Sequence, residues 1–200
     1  MQDFMRFPLR FGLILVFLTI GAAIPTSLKA AEIGDDGLHK QDWFTTTFKD
    51  MSEDIETAKA EGKRLAIIFE QRGCIYCRKL HEEVLSDPEV KDYISKNFMV
   101  VQYNMFGDEE VIDLDGSELT EKKAARKWRV VYTPTILFLP ETAPENQSVM
   151  QAAVSAMPGA FGKWTTLHMF EWVKEKGYAG EEHFQKYHAR KLAEAGVTGN

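Results

Sequence analysis

Two hundred residues, 44% of them apolar and 27% charged, make a chain long enough to bury one core unaided, so its two cysteines are not needed to hold it together. The formal net charge is −6, which argues against nucleic acid as a partner.

At the N-terminus, Arg6 and Arg10 precede an apolar run from Phe11 to Ile24, followed by Pro25 and small residues up to Ala30 and Ala31. Residues 1–30 read as a secretory signal peptide, because a run of 14 residues is nearer a signal core than a bilayer span. Cleavage is expected after Ala30 or Ala31, although Leu28 or Lys29 at the third position back is not small. An uncleaved membrane tether is the alternative. Losing Arg6, Arg10, Lys29 and Asp3 moves the net charge from −6 to −8. Export sets an oxidising address, expected to be the periplasm, where cysteines normally form structural disulfides. A closely spaced pair closes almost no loop and is a poor staple.

Residues 31–41 are polar, carry two glycines and read as a short flexible lead. From Trp43 to Gly62, Phe44, Phe48, Met51, Ile55 and Ala58 recur at mostly three- and four-residue steps, predicting an amphipathic helix. Leu65 to Phe69 is a continuous apolar run, too short for a helix, that suits a buried parallel strand. After the turn Gln71-Arg72-Gly73, helical spacing over Ile75 to Asn97 is interrupted at Asp87-Pro88. Phe98 to Tyr103 is a second buried strand, and 104–117 is an acidic, turn-like stretch. Leu119 to Trp128 is a short helix whose start is unclear, since Lys123 stands where a capping box beginning at Thr120 wants an acid. Thr135 to Leu139 is a third strand. Residues 140–163 are irregular, with one further strand around Val149 to Val154. Helices at Leu167 to Lys176 and Glu181 to Ala195 close the chain. Strand and helix signals alternate, which predicts an α/β sheet with helical cover.

The chemistry sits at Cys74-Ile75-Tyr76-Cys77. A strand that turns directly into a helix places Cys74 at the helix N-terminus, where unpaired N–H groups favour a thiolate. Cys74 is the expected nucleophile. Cys77, one turn on and more buried, is placed to attack the resulting mixed disulfide. An inert disulfide and half of a zinc site remain as alternatives, although zinc needs about four ligands and the five histidines are scattered. The acidic run Asp108-Glu109-Glu110 with Asp113 and Asp115 fails the calcium-loop spacing and reads as a solvated loop. His81, between Lys79-Leu80 and Glu82-Glu83, reads as an exposed polar residue, although it lies one turn from Cys77 and could tune it. Trp128, Trp164, Trp172, Phe161 and Tyr178 read mostly as core, with a substrate groove as the alternative.

The stretch Phe69-Glu70-Gln71-Arg72-Gly73-Cys74-Ile75-Tyr76-Cys77, the Gly116–Ala125 segment entering a helix, Tyr132-Thr133-Pro134-Thr135 before a strand, and Met157-Pro158-Gly159 together resemble the thioredoxin superfamily. The finer resemblance is to SoxW-type periplasmic thioredoxins, over roughly residues 40–177. It implies a thioredoxin fold, a central mixed sheet flanked by helices, with extra N- and C-terminal helices. The domain would span 42–178 and a C-terminal helical extension 179–200. It also implies that Pro134 is cis and faces the disulfide, so that Thr133 and Pro134 pair with an incoming substrate chain; on sequence alone an X-Pro bond is cis in only about 5% of cases.

Three departures stand out. Gly73, Ile75 and Tyr76 replace the family's Trp before the first cysteine and Gly-Pro between the two. The family's buried acid would fall near Ile68, so Glu70 is the candidate substitute for proton handling, against a solvated or ion-paired strand-end role. Tyr76 is similar to the tyrosine of glutaredoxin-type CxYC sites, yet no glutathione-binding pattern accompanies it; its ring would contact substrate or shield Cys77. The resemblance implies a protein-disulfide reductase with no cofactor beyond the Cys74–Cys77 disulfide. By the same resemblance it would act on an exported protein, one of a sulfur-oxidation system, and draw electrons from a membrane thiol transporter of the CcdA, SoxV or DsbD kind; a monomer is the default for so small an acidic domain. A disulfide oxidase or isomerase, a cytochrome c maturation thioredoxin, and a non-catalytic peptide- or metal-binding module are the rivals.

Overall fold

The computed structural model describes residues 32–197, so the expected signal peptide and its cleavage point lie outside the described residues. The polar lead is a folded element. Strand β1 (Glu32–Ile33) pairs antiparallel with β2 (His39–Lys40). Asp36 closes the turn between them, accepting from the Leu38 N–H at 3.0 Å and from the Lys40 ammonium at 2.5 Å. Leu38 and His39 are buried, which gives this hairpin a reason to stay in place that polarity alone did not signal.

Helix α1 (Met51–Ala60) occupies only the second half of the expected 43–62 helix. It starts at Asp50, whose carboxylate accepts from the Ser52 and Glu53 N–H groups. Thr45, upstream, instead bridges Val101 in parallel fashion. Phe48 shares the helical spacing without sharing the helix, and it is almost wholly exposed.

Strand β3 (Arg64–Glu70) is buried at all its positions, as its continuous apolar run requires under helices on both faces. Through Gly73, whose φ of 71° a side chain would resist, it turns into α2 (Ile75–Lys79). The helix then continues as π-helical turns over Leu80–Leu85. The break at Asp87-Pro88 is a cap: Asp87 accepts from Glu89 and Val90, and proline opens α3 (Pro88–Asn97). Strand β4 (Phe98–Asn104) runs parallel to β3, with Val101 opposite Ile67.

The acidic stretch contains a second hairpin, β5 (Glu110–Ile112) with β6 (Glu118–Thr120). Asp113 within it is buried rather than solvated. Helix α4 (Glu121–Lys127) starts on the Thr120 hydroxyl, which accepts from the Lys123 N–H at 3.4 Å. Strand β7 (Thr135–Phe138) lies antiparallel to β3. A single turn, α5 (Val149–Ala152), replaces the strand expected at Val149–Val154, because Ser148 and Gln151 cap it reciprocally. The strand is displaced downstream to β8 (Ser155–Pro158), antiparallel to β7. Helix α6 (Lys163–Lys174), a 3-10 turn at Gly177–Ala179 and α7 (Phe184–Glu194) complete the described chain.

The central sheet has the order β4-β3-β7-β8 and is mixed. Alternate residues of β3 face two separate cores. Leu65, Ile67 and Phe69 meet Met51 and Ile55 of α1 and Ala124 and Ala125 of α4. Ala66 and Ile68 meet Leu80, Val84, Ile94 of α3 and Phe170 of α6. This is the thioredoxin fold, with its extra helices at the C-terminal end; the addition at the N-terminal side is the hairpin β1–β2. Among the described residues no helix is long and apolar enough to cross a membrane.

Candidate functional site

Cys74 is the N-cap of α2. Its backbone is extended (φ −74°, ψ 106°), and its Sγ accepts the Cys77 N–H at 3.0 Å. A free N–H of the first turn thus points at the sulfur, the geometry that stabilises a thiolate when the pair is reduced. Cys74 and Cys77 are joined as a disulfide, with Cα atoms 5.2 Å apart. Cys74 keeps 7% of its surface exposed and Cys77 1%, so the first cysteine is the less buried of the two. Among the described residues no group of three or more His, Cys, Asp or Glu is placed to hold a metal ion.

The loop before β7 closes the site. The Thr133–Pro134 bond is cis. The Thr133 hydroxyl donates to Cys74 Sγ at 3.5 Å, and the Thr133 carbonyl oxygen lies 3.5 Å from the same sulfur. Pro134 O accepts from the Gly159 N–H at 2.7 Å, tying the Met157-Pro158-Gly159 segment to the loop. Residues 59 positions apart are thereby brought onto one sulfur.

The profile of the thioredoxin-like domain family matches residues 51–157 of the chain. The protein belongs to the thioredoxin-like family. Among solved structures it is similar to a thioredoxin-fold protein from Helicobacter pylori, with TM-score 0.57 and 19% identity, covering 76% of this chain and 89% of that one. It is also similar to a thioredoxin from Thermus thermophilus, with TM-score 0.51 and 26% identity, over 66% of this chain and 90% of that one. No curated protein matches the chain.

On this thioredoxin-like frame the remaining site residues take definite places. Glu70 ends β3 with its side chain fully buried. Its Oε1 lies 2.9 Å from His81 Nε2, and its Oε2 accepts from the Gln102 side-chain amide on β4. Glu70 is therefore neither solvated nor at the surface. His81 is likewise fully buried, against the expectation of an exposed polar residue. The missed signal is periodic: Cys77, Leu80, His81, Val84 and Leu85 fall at i, i+3, i+4, i+7 and i+8, one stripe facing the sheet. The charged neighbours Glu82 and Glu83 hide that stripe from a local reading. Tyr76, in contrast, is 59% exposed.

The network extends to the N-terminal hairpin. Gln41 Nε2 lies 3.2 Å from His81 Nδ1, and Gln41 Oε1 accepts from the Trp43 indole N–H at 3.2 Å. Gln102 donates also to the His39 carbonyl at 2.7 Å, and its Oε1 accepts from Lys40 at 2.8 Å. Burial and the neighbouring His81 hold His39 below its usual range. Of the aromatic groove candidates, Trp128 and Trp172 are core, and Phe161 is exposed.

Proposed function

We propose that this protein is an exported, periplasmic thiol–disulfide oxidoreductase that reduces disulfides of exported proteins as a monomer. The observation that carries the reading is the Cys74–Cys77 disulfide at the mouth of a strand–helix turn, with Cys74 Sγ held by the Cys77 N–H and the Thr133 hydroxyl. In the reduced form, the Cys74 thiolate attacks a client disulfide, forming a mixed disulfide and expelling one client thiolate. Cys77 then loses its proton and attacks Cys74 Sγ, which re-forms the Cys74–Cys77 bond and releases the second client thiolate. Two electrons pass to the client, and a dithiol donor must return them, for which a membrane thiol transporter of the CcdA, SoxV or DsbD kind is the proposed source. The clients proposed are proteins of a sulfur-oxidation system, following the SoxW-type resemblance, and the 26% identity to a thioredoxin supports the reducing direction.

The test is turnover of a protein disulfide by the reduced protein, paired with trapping. Cys77→Ser should stop at a covalent mixed disulfide with its client, and Cys74→Ser should neither turn over nor trap. Undiminished turnover by Cys74→Ser would overturn the reading in favour of an inert disulfide or a binding module. The direction is settled by the reduction potential. A value near about −270 mV fits a reductant, whereas one near about −120 mV would make the protein an oxidase.

A further inference from the structure

The hairpin β1–β2 is too short to hold itself, and the way it is fastened brings it against the active-site turn. At its base, the Gln102 side-chain amide on β4 donates to the His39 carbonyl at 2.7 Å, and Lys40 donates to Gln102 Oε1 at 2.8 Å. Leu38 and His39 bury their side chains. The turn of the hairpin is closed by the Gly34 N–H, which donates to the Leu38 carbonyl at 2.9 Å, and by the Gly37 N–H, which donates to the Gly34 carbonyl at 2.8 Å. Gly37, at φ 77°, lies directly against the Arg72 side chain. A Cβ at this position would stand 2.4 Å from Arg72 Nε and 2.9 Å from its Cγ, closer than van der Waals contact allows. The glycine therefore leaves the space that the arginine stem fills.

Arg72 belongs to the turn that delivers Cys74. The Gln71 carbonyl accepts from the Cys74 N–H at 3.3 Å, so Arg72 and Gly73 are the two central residues of that turn. Two residues of chain put the Cα atoms of Arg72 and Cys74 no more than about 7 Å apart. Arg72 is exposed, and among the described residues no carboxylate pairs with it. The other cations near the cysteines face acids of their own: Arg78 lies 3.9 Å from Glu82, and Lys79 lies 3.7 Å from Glu83. At the tip of the hairpin, Asp36 is engaged by Lys40 and the Leu38 N–H. Arg72 is thus held along its stem and free at its guanidinium, two residues from the cysteine that attacks the client. A guanidinium fork matches a carboxylate through two parallel hydrogen bonds, and a stem already held loses less rotamer freedom when the pair forms.

We infer that the hairpin is a brace that presents Arg72 to the client, and that this arginine receives a carboxylate beside the client's disulfide. The substrate class it favours is a disulfide flanked by aspartate or glutamate. This deepens the oxidoreductase reading and rests on it. Gly37 acts through Arg72 and is a positioning residue. The hairpin lies outside residues 51–157, over which the family profile matches, so the selectivity belongs to the chain's own N-terminal addition. One fixed charge discriminates at a single point of the client and adds little to the total attraction.

The experiment measures second-order rate constants of the reduced protein, at low ionic strength, with two small disulfides of opposite charge, dithiodipropionate and cystamine. Their ratio is taken on one protein, so any change in the ionisation of Cys74 cancels. Arg72→Gln should lower the anion-to-cation ratio at least about threefold, and high salt should erase the difference from the parent. Gly37→Ala keeps the charge and should reproduce most of that fall, since the brace is lost whether the methyl displaces the arginine or loosens the hairpin. Arg78→Gln removes a cation that already faces Glu82 and should move the ratio by less than about 1.5-fold. A ratio unmoved by Arg72→Gln, or moved equally by Arg78→Gln, would overturn the carboxylate subsite. A ratio that Gly37→Ala leaves at the parent value would overturn the brace. A parent protein that reacts with neither disulfide would overturn the oxidoreductase reading itself.

Discussion

A single carboxylate shows how burial sets the acid–base behaviour of this fold away from the cysteines. Asp54 lies inside the core on α1, hydrogen-bonded by the Thr47 hydroxyl at 3.0 Å, and burial pushes its pKa up to about 6. Asp50 and Glu53 push in the same direction. The folded protein therefore holds this proton where the unfolded chain has released it. Stability falls as pH rises from about 4 to about 6, and above that window it remains lower by up to about 3 kcal/mol. Asp54→Asn mimics the protonated acid and keeps an acceptor for Thr47. It should raise stability toward that figure at pH 7 and leave it unchanged at about pH 4, measured by urea unfolding across pH. An equal offset at both pH values would show that the charge is not responsible. Asp113 makes the opposite case, since its buried carboxylate is fully used. It accepts from the Leu114 and Val149 N–H groups at 2.8 Å and from the Trp128 indole at 2.9 Å, and pairs with Lys127 at 2.8 Å. Asp113→Ala strands these donors and should cost about 3 kcal/mol or more, lowering Tm by roughly 6–12 °C. A change under about 1 kcal/mol would mean that water replaces the carboxylate.

Helices α6 and α7 meet through a histidine pair that the sequence keeps twenty residues apart. His168 Nδ1 and His188 Nδ1 lie 2.7 Å from each other, with Phe184 stacked on His188 at 5.6 Å and Trp164 beside His168 at 5.8 Å. Only one proton fits between the two nitrogens, and burial holds both imidazoles below their usual range. Glu171 and Glu89 oppose that shift at His168, whereas His188 and Lys191 reinforce it. A depressed histidine stabilises the docked helices while neutral. That stability is complete above about pH 6.5 and is lost as pH falls through the folded values, because the undocked residues take up protons first. Amide exchange in α7, corrected for intrinsic rates, should be faster at about pH 5 than at about pH 7.5, and His188→Phe should remove the difference. Exchange that is insensitive to pH in the unaltered protein would refute the pairing as an acid-sensitive joint. The same contrast explains what could be read in advance. The buried strands, the strand-to-helix turn at Cys74 and the Thr133-Pro134 loop announce themselves through local apolar runs or short motifs. The Glu70–His81–Gln41 network and the His168–His188 contact are made across the sheet and between helices, where no local pattern encodes the partner. The one exception was legible: the stripe through Cys77, Leu80, His81, Val84 and Leu85 carries the helical period, and only its charged neighbours obscured it. The hairpin β1–β2 was missed for another reason, since two-residue strands are held by burial of Leu38 and His39 rather than by their own sequence.

For the whole molecule, the distribution of apolar surface matters more than the net charge of −6. The two segments that converge on Cys74 each expose large apolar side chains, Ile75 and Tyr76 in the first turn of α2 and Val131 and Tyr132 in the loop before β7, both of the latter at 67%. The Thr133 contact to the Cys74 sulfur brings the two segments together, and these exposed side chains adjoin the residues in contact, Ile75 next to Cys74 and Tyr132 next to Thr133. An apolar collar on an acidic protein suits a client bound through unfolded or loosely packed segments, and its attraction should depend little on salt. A small disulfide reagent needs only the sulfur, whereas a protein client must also cover the collar. Val131→Ser with Tyr132→Ser should therefore raise KM for a protein disulfide about tenfold, the effect of removing roughly 1.4 kcal/mol of contact. The rate with a small aromatic disulfide should stay within about twofold, because neither residue touches the sulfur and Thr133 keeps its place. Equal losses on both substrates would instead mean that the substitutions had disturbed the Thr133 loop. Equal retention on both would move client recognition off this face altogether.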